Sequence, residues 1–158
     1  LQGQEFLQTG TFHDDQPLDW SNLETHSGIV ELYRDLITLR RNTTGVTAGL
    51  RGEHIEVTHR NDGARVLIYR RWDRGGAGDE VMVVANFGDV SFGEYILGFP
   101  SEGTWQVRFD SDSSRYSSDF TDQSISETTT VPNPMDGFDQ SAPIAIGPYS
   151  VVVLSQNP

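Results

Sequence analysis

Val81-Met82-Val83-Val84-Ala85-Asn86-Phe87 is apolar at successive positions, with no polar face until Asn86. A strand wet on one side alternates apolar and polar residues; this run requires cover on both sides, as a central strand has. Reading backwards, Gly75-Gly76-Ala77-Gly78-Asp79 forms a loop. Arg65-Val66-Leu67-Ile68-Tyr69-Arg70 precedes it as a strand, entered from an Asn61-Asp62-Gly63 turn, and Ile55, Val57 and His59 alternate before that turn. Reading forwards, strands are expected at Tyr95 to Phe99 and at Trp105, Val107 and Phe109. One short strand is expected around Ile125 to Val131 inside a Ser-, Thr- and Asp-rich stretch, and a long last one runs from Ile144 to Ser155, broken at Gly147-Pro148. About seven short strands separated by turn signals predict an all-β, antiparallel Greek-key β-sandwich.

Ahead of the strands lies one clear helix, predicted over residues 28 to 41. Ile29, Tyr33, Leu36, Ile37 and Arg40 follow a helical period, Leu32 and Leu39 widen the stripe, and Ser27 is the expected N-cap. Arg40 and Arg41 complement the dipole of its last turn, and Asn42 to Gly45 end it. Residues 1 to 26 hold no period and read as loop. The expected boundary falls between Gly45 and Gly49, giving a lead-in over 1–45 and a β domain over 46–158.

The chain has 158 residues and a net charge of −12, from 11 basic and 23 acidic side chains. Such a surface repels a phosphate backbone or an anionic membrane, but not a neutral polymer such as a glucan. With no cysteine there is no disulfide, thiolate metal site or thiol nucleophile. No run approaches the ~20 apolar residues that span a bilayer. The first residues, Leu1-Gln2-Gly3-Gln4-Glu5, lack an initiator Met and a basic leader. An excised piece of a cytoplasmic protein is the expectation.

Four stretches, in order, resemble one family. Gly3-Gln4-Glu5-Phe6 is similar to the segment closing the eighth barrel strand of the α-amylase superfamily, glycoside hydrolase family thirteen. Phe12-His13-Asp14-Asp15 and Pro17-Leu18-Asp19-Trp20 resemble the loop that follows in branching-enzyme-like members. Gly28 to Arg41 resembles the last barrel helix. Val81 to Phe87 and Gly147 to Leu154 resemble strands of the C-terminal all-β domain. One stretch departs: Asp110-Ser111-Asp112-Ser113-Ser114-Arg115-Tyr116 stands where relatives often carry an Asn-Ser-Asp-Trp run. The resemblance implies that residues 1–45 are the tail of a (β/α)8 catalytic barrel and that the sandwich is appended to it. The parent would be a 1,4-α-glucan branching enzyme or amylase relative in glycogen or starch metabolism. Retaining chemistry on glycosidic bonds needs two carboxyl groups roughly 5–5.5 Å apart. In this superfamily they come from earlier barrel strands, so no catalytic residue and no cofactor is expected in this chain.

Five residues are candidates for contact with an α-glucan. Glu5 would shape the top of the last barrel strand, or else hold loop backbone. Asp14 borders a glucan subsite in a solvated loop; adjacent His13, Asp14 and Asp15 are poorly arranged to converge on a metal ion. Trp20 packs on the helix or the barrel. Trp72, beside the Asp73-Arg74-Gly75-Gly76 loop edge, and Tyr116 offer rings for stacking on sugar. Trp105, alternating with Val107 and Phe109, reads as core. Asp110, Asp112 and Ser114 open like a calcium loop, but Arg115 and Thr121 stand where the helix-loop-helix version needs Gly and Glu. The glycine-rich 75–78 run lacks a phosphate loop's Lys and reads as a turn. Asn42-Thr43-Thr44 is formally a glycosylation sequon, and there is no nucleophile elbow. Two other functions fit the pattern: an autonomous carbohydrate-binding module, and an adhesion-type sandwich with calcium loops. Separation from a barrel would also expose an apolar patch, through which the chain could dimerise.

Overall fold

A computed structural model describes residues 2–11 and 13–158; Leu1 and Phe12, both quoted above, lie outside the described residues. Eight strands follow two helices. They are α1 (Asn22–Thr25), α2 (Ser27–Arg40), β1 (His54–Asn61), β2 (Val66–Trp72), β3 (Val81–Asn86), β4 (Phe92–Phe99), β5 (Thr104–Asp110), β6 (Glu127–Thr129), β7 (Gln140–Ile146) and β8 (Ser150–Ser155). Six strands form one sheet in the order β1-β2-β3-β8-β5-β6, and β4 and β7 pair as a second sheet. Every pairing is antiparallel. The all-β sandwich expected from the sequence is present, with α2 as a third layer outside it.

The register explains why β3 is buried at all six positions. Tyr69, Val83 and Val153 are cross-strand partners in one row, with Val57 beyond Tyr69 and Phe109 beyond Val153. Val83, Val153 and Phe109 join Val81, Leu39 and Tyr116 in a core between the sheet and α2. The neighbouring row, Ile68, Val84 and Val152, points the other way. It packs with Met82, Leu154 and Trp105 against Leu97, Phe99, Ile144 and Ile146 of the small sheet. Each such side chain removed from water contributes roughly 1.5–3 kcal/mol.

Three details differ from the sequence reading. Ser27 is not the N-cap but the first residue of α2; His26 holds the cap position with no side-chain cap bond. The cause is α1: His26 donates its N–H to Asn22 while its own carbonyl already accepts from Ile29 and Val30, so one helical turn feeds the next. Strand β7 begins at Gln140, before the apolar run, because Ala142 pairs with Leu97 and Pro143 with Ile96. Pro143 fits there because β7 has a partner strand on one side only, and an edge strand tolerates a missing N–H. Strand β4 likewise begins at Phe92 rather than Tyr95, with a register shift between them.

The glycine-rich loop is a turn, as expected. Gly75, Gly76 and Gly78 all adopt positive φ. The buried Asp79 carboxylate accepts from the N–H groups of Asp73 (3.1 Å), Arg74 (2.5 Å) and Gly75 (2.5 Å). A carboxylate with three backbone donors holds the β2–β3 connection in place.

Trp105 is the largest fully buried side chain, tilted against Phe99 with ring centroids 5.1 Å apart and donating its indole N–H to Ser101. Trp105→Ala should cost about 3–5 kcal/mol in urea unfolding, whereas Ile96→Ala, at an exposed position, should stay within about 0.5 kcal/mol.

Candidate functional surface

Helix α2 carries apolar side chains on two sides. Leu32 and Leu39 face the sheet. Tyr33 and Ile37, one turn apart, are exposed, as is Leu36 between these two faces. Leu36 also lines an open apolar groove of about 410 Å³ with Leu50, Tyr69, Val83, Phe109, Val151 and Val153. The single stripe read from the sequence is therefore divided, half on the sheet and half towards solvent. A helix whose apolar positions exceed what one neighbour covers presents a surface for a second neighbour.

Tyr116 fixes the helix in this position. Its ring is 6% exposed, tilted against Phe109 at 6.0 Å, and has the Arg115 guanidinium 5.1 Å from its centroid. Its hydroxyl donates to Asp35 Oδ2 at 2.5 Å. Burial first, then that hydrogen bond and the charge of Asp35, push the phenol above its ordinary range. Arg115 reaches Glu31 at 2.5 Å and Asp35 at 3.1 Å, although both partners are substantially exposed and such pairs contribute at most about 1 kcal/mol. Gly28 lies directly on the Tyr116 backbone, where an added Cβ would overlap the carbonyl oxygen. Tyr116 was a candidate for stacking on sugar; its ring is enclosed by protein, and what it does in this chain is clamp α2. Tyr116→Phe should lower stability by about 1 kcal/mol through the lost hydrogen bond to Asp35, which keeps its Arg115 partner, and Gly28→Ala should loosen the helix further; both are read from thermal unfolding.

The acidic loop after β5 is organised by its own backbone. Asp112 accepts from the Thr121 N–H (3.0 Å) and from the Thr121 hydroxyl, and it packs on Gly147, where a Cβ would meet the carboxylate. Asp110 accepts from the Asp112 N–H at 2.9 Å through Oδ1, while its buried Oδ2 has no partner. Burial is the largest influence on Asp110 and raises its pKa above the ordinary 3.8. Asp112 and Asp122 add repulsion, and hydrogen bonds from the Asp112 N–H and from Ser124 offset part of it. The folded chain then holds the proton more tightly than the unfolded chain, so stability from this group falls as pH rises from 3.8 through the folded pKa. Asp110→Asn should therefore raise the melting temperature at pH 7. That advantage should shrink to nothing as the pH is lowered below 3.8.

The remaining candidates lie apart from one another. Glu5 is exposed on a 3-10 turn, Gln4–Phe6, whose Phe6 is buried. Trp20 is 61% exposed, tilted over Phe6 at 5.4 Å. Asp14 is exposed in the following loop, next to a shallow pocket of about 350 Å³ lined by Gln4, Gln8, His13 and Gln16 among others. Trp72 is half-buried at the end of β2. His54 stacks on it at 5.2 Å, and the Arg70 guanidinium sits 4.4 Å from its centroid. The fold brings Glu5 and Trp20 into one N-terminal segment and leaves Trp72 and Tyr116 elsewhere. Among the described residues, no group of three or more His, Cys, Asp or Glu side chains is arranged to hold a metal ion, and no helix is long and apolar enough to cross a membrane.

Two features escaped the sequence reading. His59 joins Asp136 and Tyr95, each at 2.8 Å, tying β1 to the small sheet. Residues so far apart in sequence give no local signal. Phe87 and Tyr149 extend from the ends of β3 and β8, exposed; the glycines that follow or precede them were the available hint.

Comparison with known proteins agrees with the architecture. The family model described as the alpha amylase C-terminal all-beta domain matches residues 56–157. The 1,4-alpha-glucan branching enzyme GlgB of Vibrio cholerae is 29% identical over 156 residues, covering 95% of this chain and 21% of that protein. GlgB of Jannaschia sp. is 31% identical over 163 residues, covering 96% of this chain and 22% of its own length. The chain thus spans about a fifth of the length of these relatives. A crystal structure of alpha-amylase from H. orenii superposes with a TM-score of 0.50 at 17% identity, over 90% of this chain and 23% of the other.

Proposed function

From the premise that this chain belongs to the family of α-amylase C-terminal all-β domains, we propose that it is the non-catalytic C-terminal domain of an α-glucan-acting enzyme of the branching type. In this reading residues 1–45 are the end of a catalytic barrel and residues 46–158 the appended sandwich. The exposed half of α2, Tyr33 and Ile37 with the groove beside Leu36, is the observation that carries it. A barrel helix must face both the sandwich behind it and the barrel in front, and α2 has apolar residues for both. The GlgB relatives supply the choice of substrate class, and the net charge of −12 suits a neutral polysaccharide. The domain's work is mechanical: it covers barrel surface and fixes the last helix. When the face is left uncovered, pairing with a second copy through the same residues is the competing association.

The chain alone, incubated with amylose, should neither cleave nor branch it; appreciable turnover would refute the non-catalytic reading. A chimera carrying this chain in place of the matching part of Vibrio cholerae GlgB should branch amylose. Ile37→Asp with Tyr33→Asp should leave the isolated chain's melting temperature nearly unchanged, because both side chains are exposed, yet abolish assembly and activity of the chimera.

A further inference from the structure

We propose that Phe87 and Tyr149 form a surface platform for an α-glucan chain, on loops at the other end of β2 from Trp72. The inference rests on the reading of the chain as part of a glucan-acting enzyme and assigns a location that reading leaves open. At 63% and 71%, Phe87 and Tyr149 are the two most exposed large apolar side chains among the described residues, and both are aromatic. They are also neighbours. Asn86 pairs with Ser150 at the end of the β3–β8 ladder, and just beyond it the Tyr149 N–H donates to the Gly88 carbonyl, which brings the two loops together.

Both loops are held rigidly. The Tyr149 N–H donates to the Gly88 carbonyl, and the Phe87 N–H to the Arg65 carbonyl, each at 2.9 Å. The buried Asn86 amide ties the two loops together: its Nδ2 donates to the carbonyls of Val90 (2.8 Å) and Gly147 (2.7 Å), and its Oδ1 accepts from the Gly88 N–H (2.9 Å). Tyr149 itself has φ of +48°, a left-handed conformation that a bulky side chain rarely adopts. Strain kept at a position that displays an exposed ring is the pattern found at ligand contacts. On the adjoining loop residues, the Arg65 and Asp89 side chains, 3.7 Å apart and largely exposed, offer donors and acceptors to hydroxyl groups.

A flat apolar ring flanked by hydrogen-bonding groups suits a pyranose, whose faces are apolar and whose rim is hydroxylated. The preordered loops reduce the entropy lost on binding. Trp72 lacks this openness because His54 and Arg70 already pack on its ring.

The test is maltoheptaose titrated into the 158-residue chain by calorimetry, with Phe87→Ala, Tyr149→Ala and Trp72→Ala alongside, and with melting temperatures to confirm folding. Phe87→Ala and Tyr149→Ala should each weaken binding roughly tenfold or more, and Trp72→Ala should leave it unchanged. Wild-type binding that survives both loop variants would overturn the platform while leaving the glucan reading intact. No binding by the wild type would also overturn it, and branching by the GlgB chimera would then show whether the broader reading stands. If the loop variants fail to assemble in the chimera, the rings are an interdomain contact and the proposal falls.

Discussion

Val83 and Val84 are adjacent and point in opposite directions, and neither can be left in water. This two-sided demand of β3 organises the molecule. On one side the small sheet of β4 and β7 supplies Leu97, Phe99, Ile144 and Ile146; on the other, α2 supplies Leu32 and Leu39. The last strand, β8, lies between β3 and β5 and has the same two-sided character, with Val152 facing one core and Val153 the other. The central sheet is therefore completed only when β8 is in place. Such non-local pairing makes the strands late to close and makes cover from both layers a joint requirement.

The helix is bound to the sheet by packing and by one specific polar clamp. Leu39 enters the core, the Thr47 hydroxyl donates to its carbonyl at 2.9 Å, and Tyr116 with Arg115 holds Asp35 and Glu31 from the far side. Gly28 permits the close approach. What the sheet leaves uncovered on α2 is the face argued above to meet a barrel. One helix thus has two obligations, and its sequence shows both as a stripe too wide for a single partner.

Much of the fold was legible because the signals were local. Alternation gave β1 and β5, the Asn61-Asp62-Gly63 turn before an apolar run gave β2, the doubly apolar run gave β3, and the 3.6-residue period gave α2. The misplacements have local causes too. Ser27 has the chemistry of a cap, but a preceding helical turn had already satisfied the helix start. Residues Gln140 to Pro143 look unlike a strand because their burial depends on β4, more than forty residues away. Site residues were harder to read. A Trp beside a Gly-rich loop resembles an exposed platform in sequence, and only the fold shows that His54 and Arg70 pack on Trp72. Tyr116 sits in a polar loop that suggests exposure, yet the loop folds over α2 and buries the ring. Phe87 and Tyr149 look like ordinary strand residues, and only the fold shows them exposed on two hydrogen-bonded loops beyond the last ladder pair.

Native-state hydrogen exchange on the 158-residue chain tests the central constraint most directly. If β3 needs cover on both faces, amides of α2 from Leu32 to Leu39 should open with nearly the same free energy as those of β3 and β8, as one cooperative unit. Contradiction would come from α2 amides exchanging freely while β3 and β8 remain protected. In that case the Val81, Val83 and Val153 face would stand without its helix.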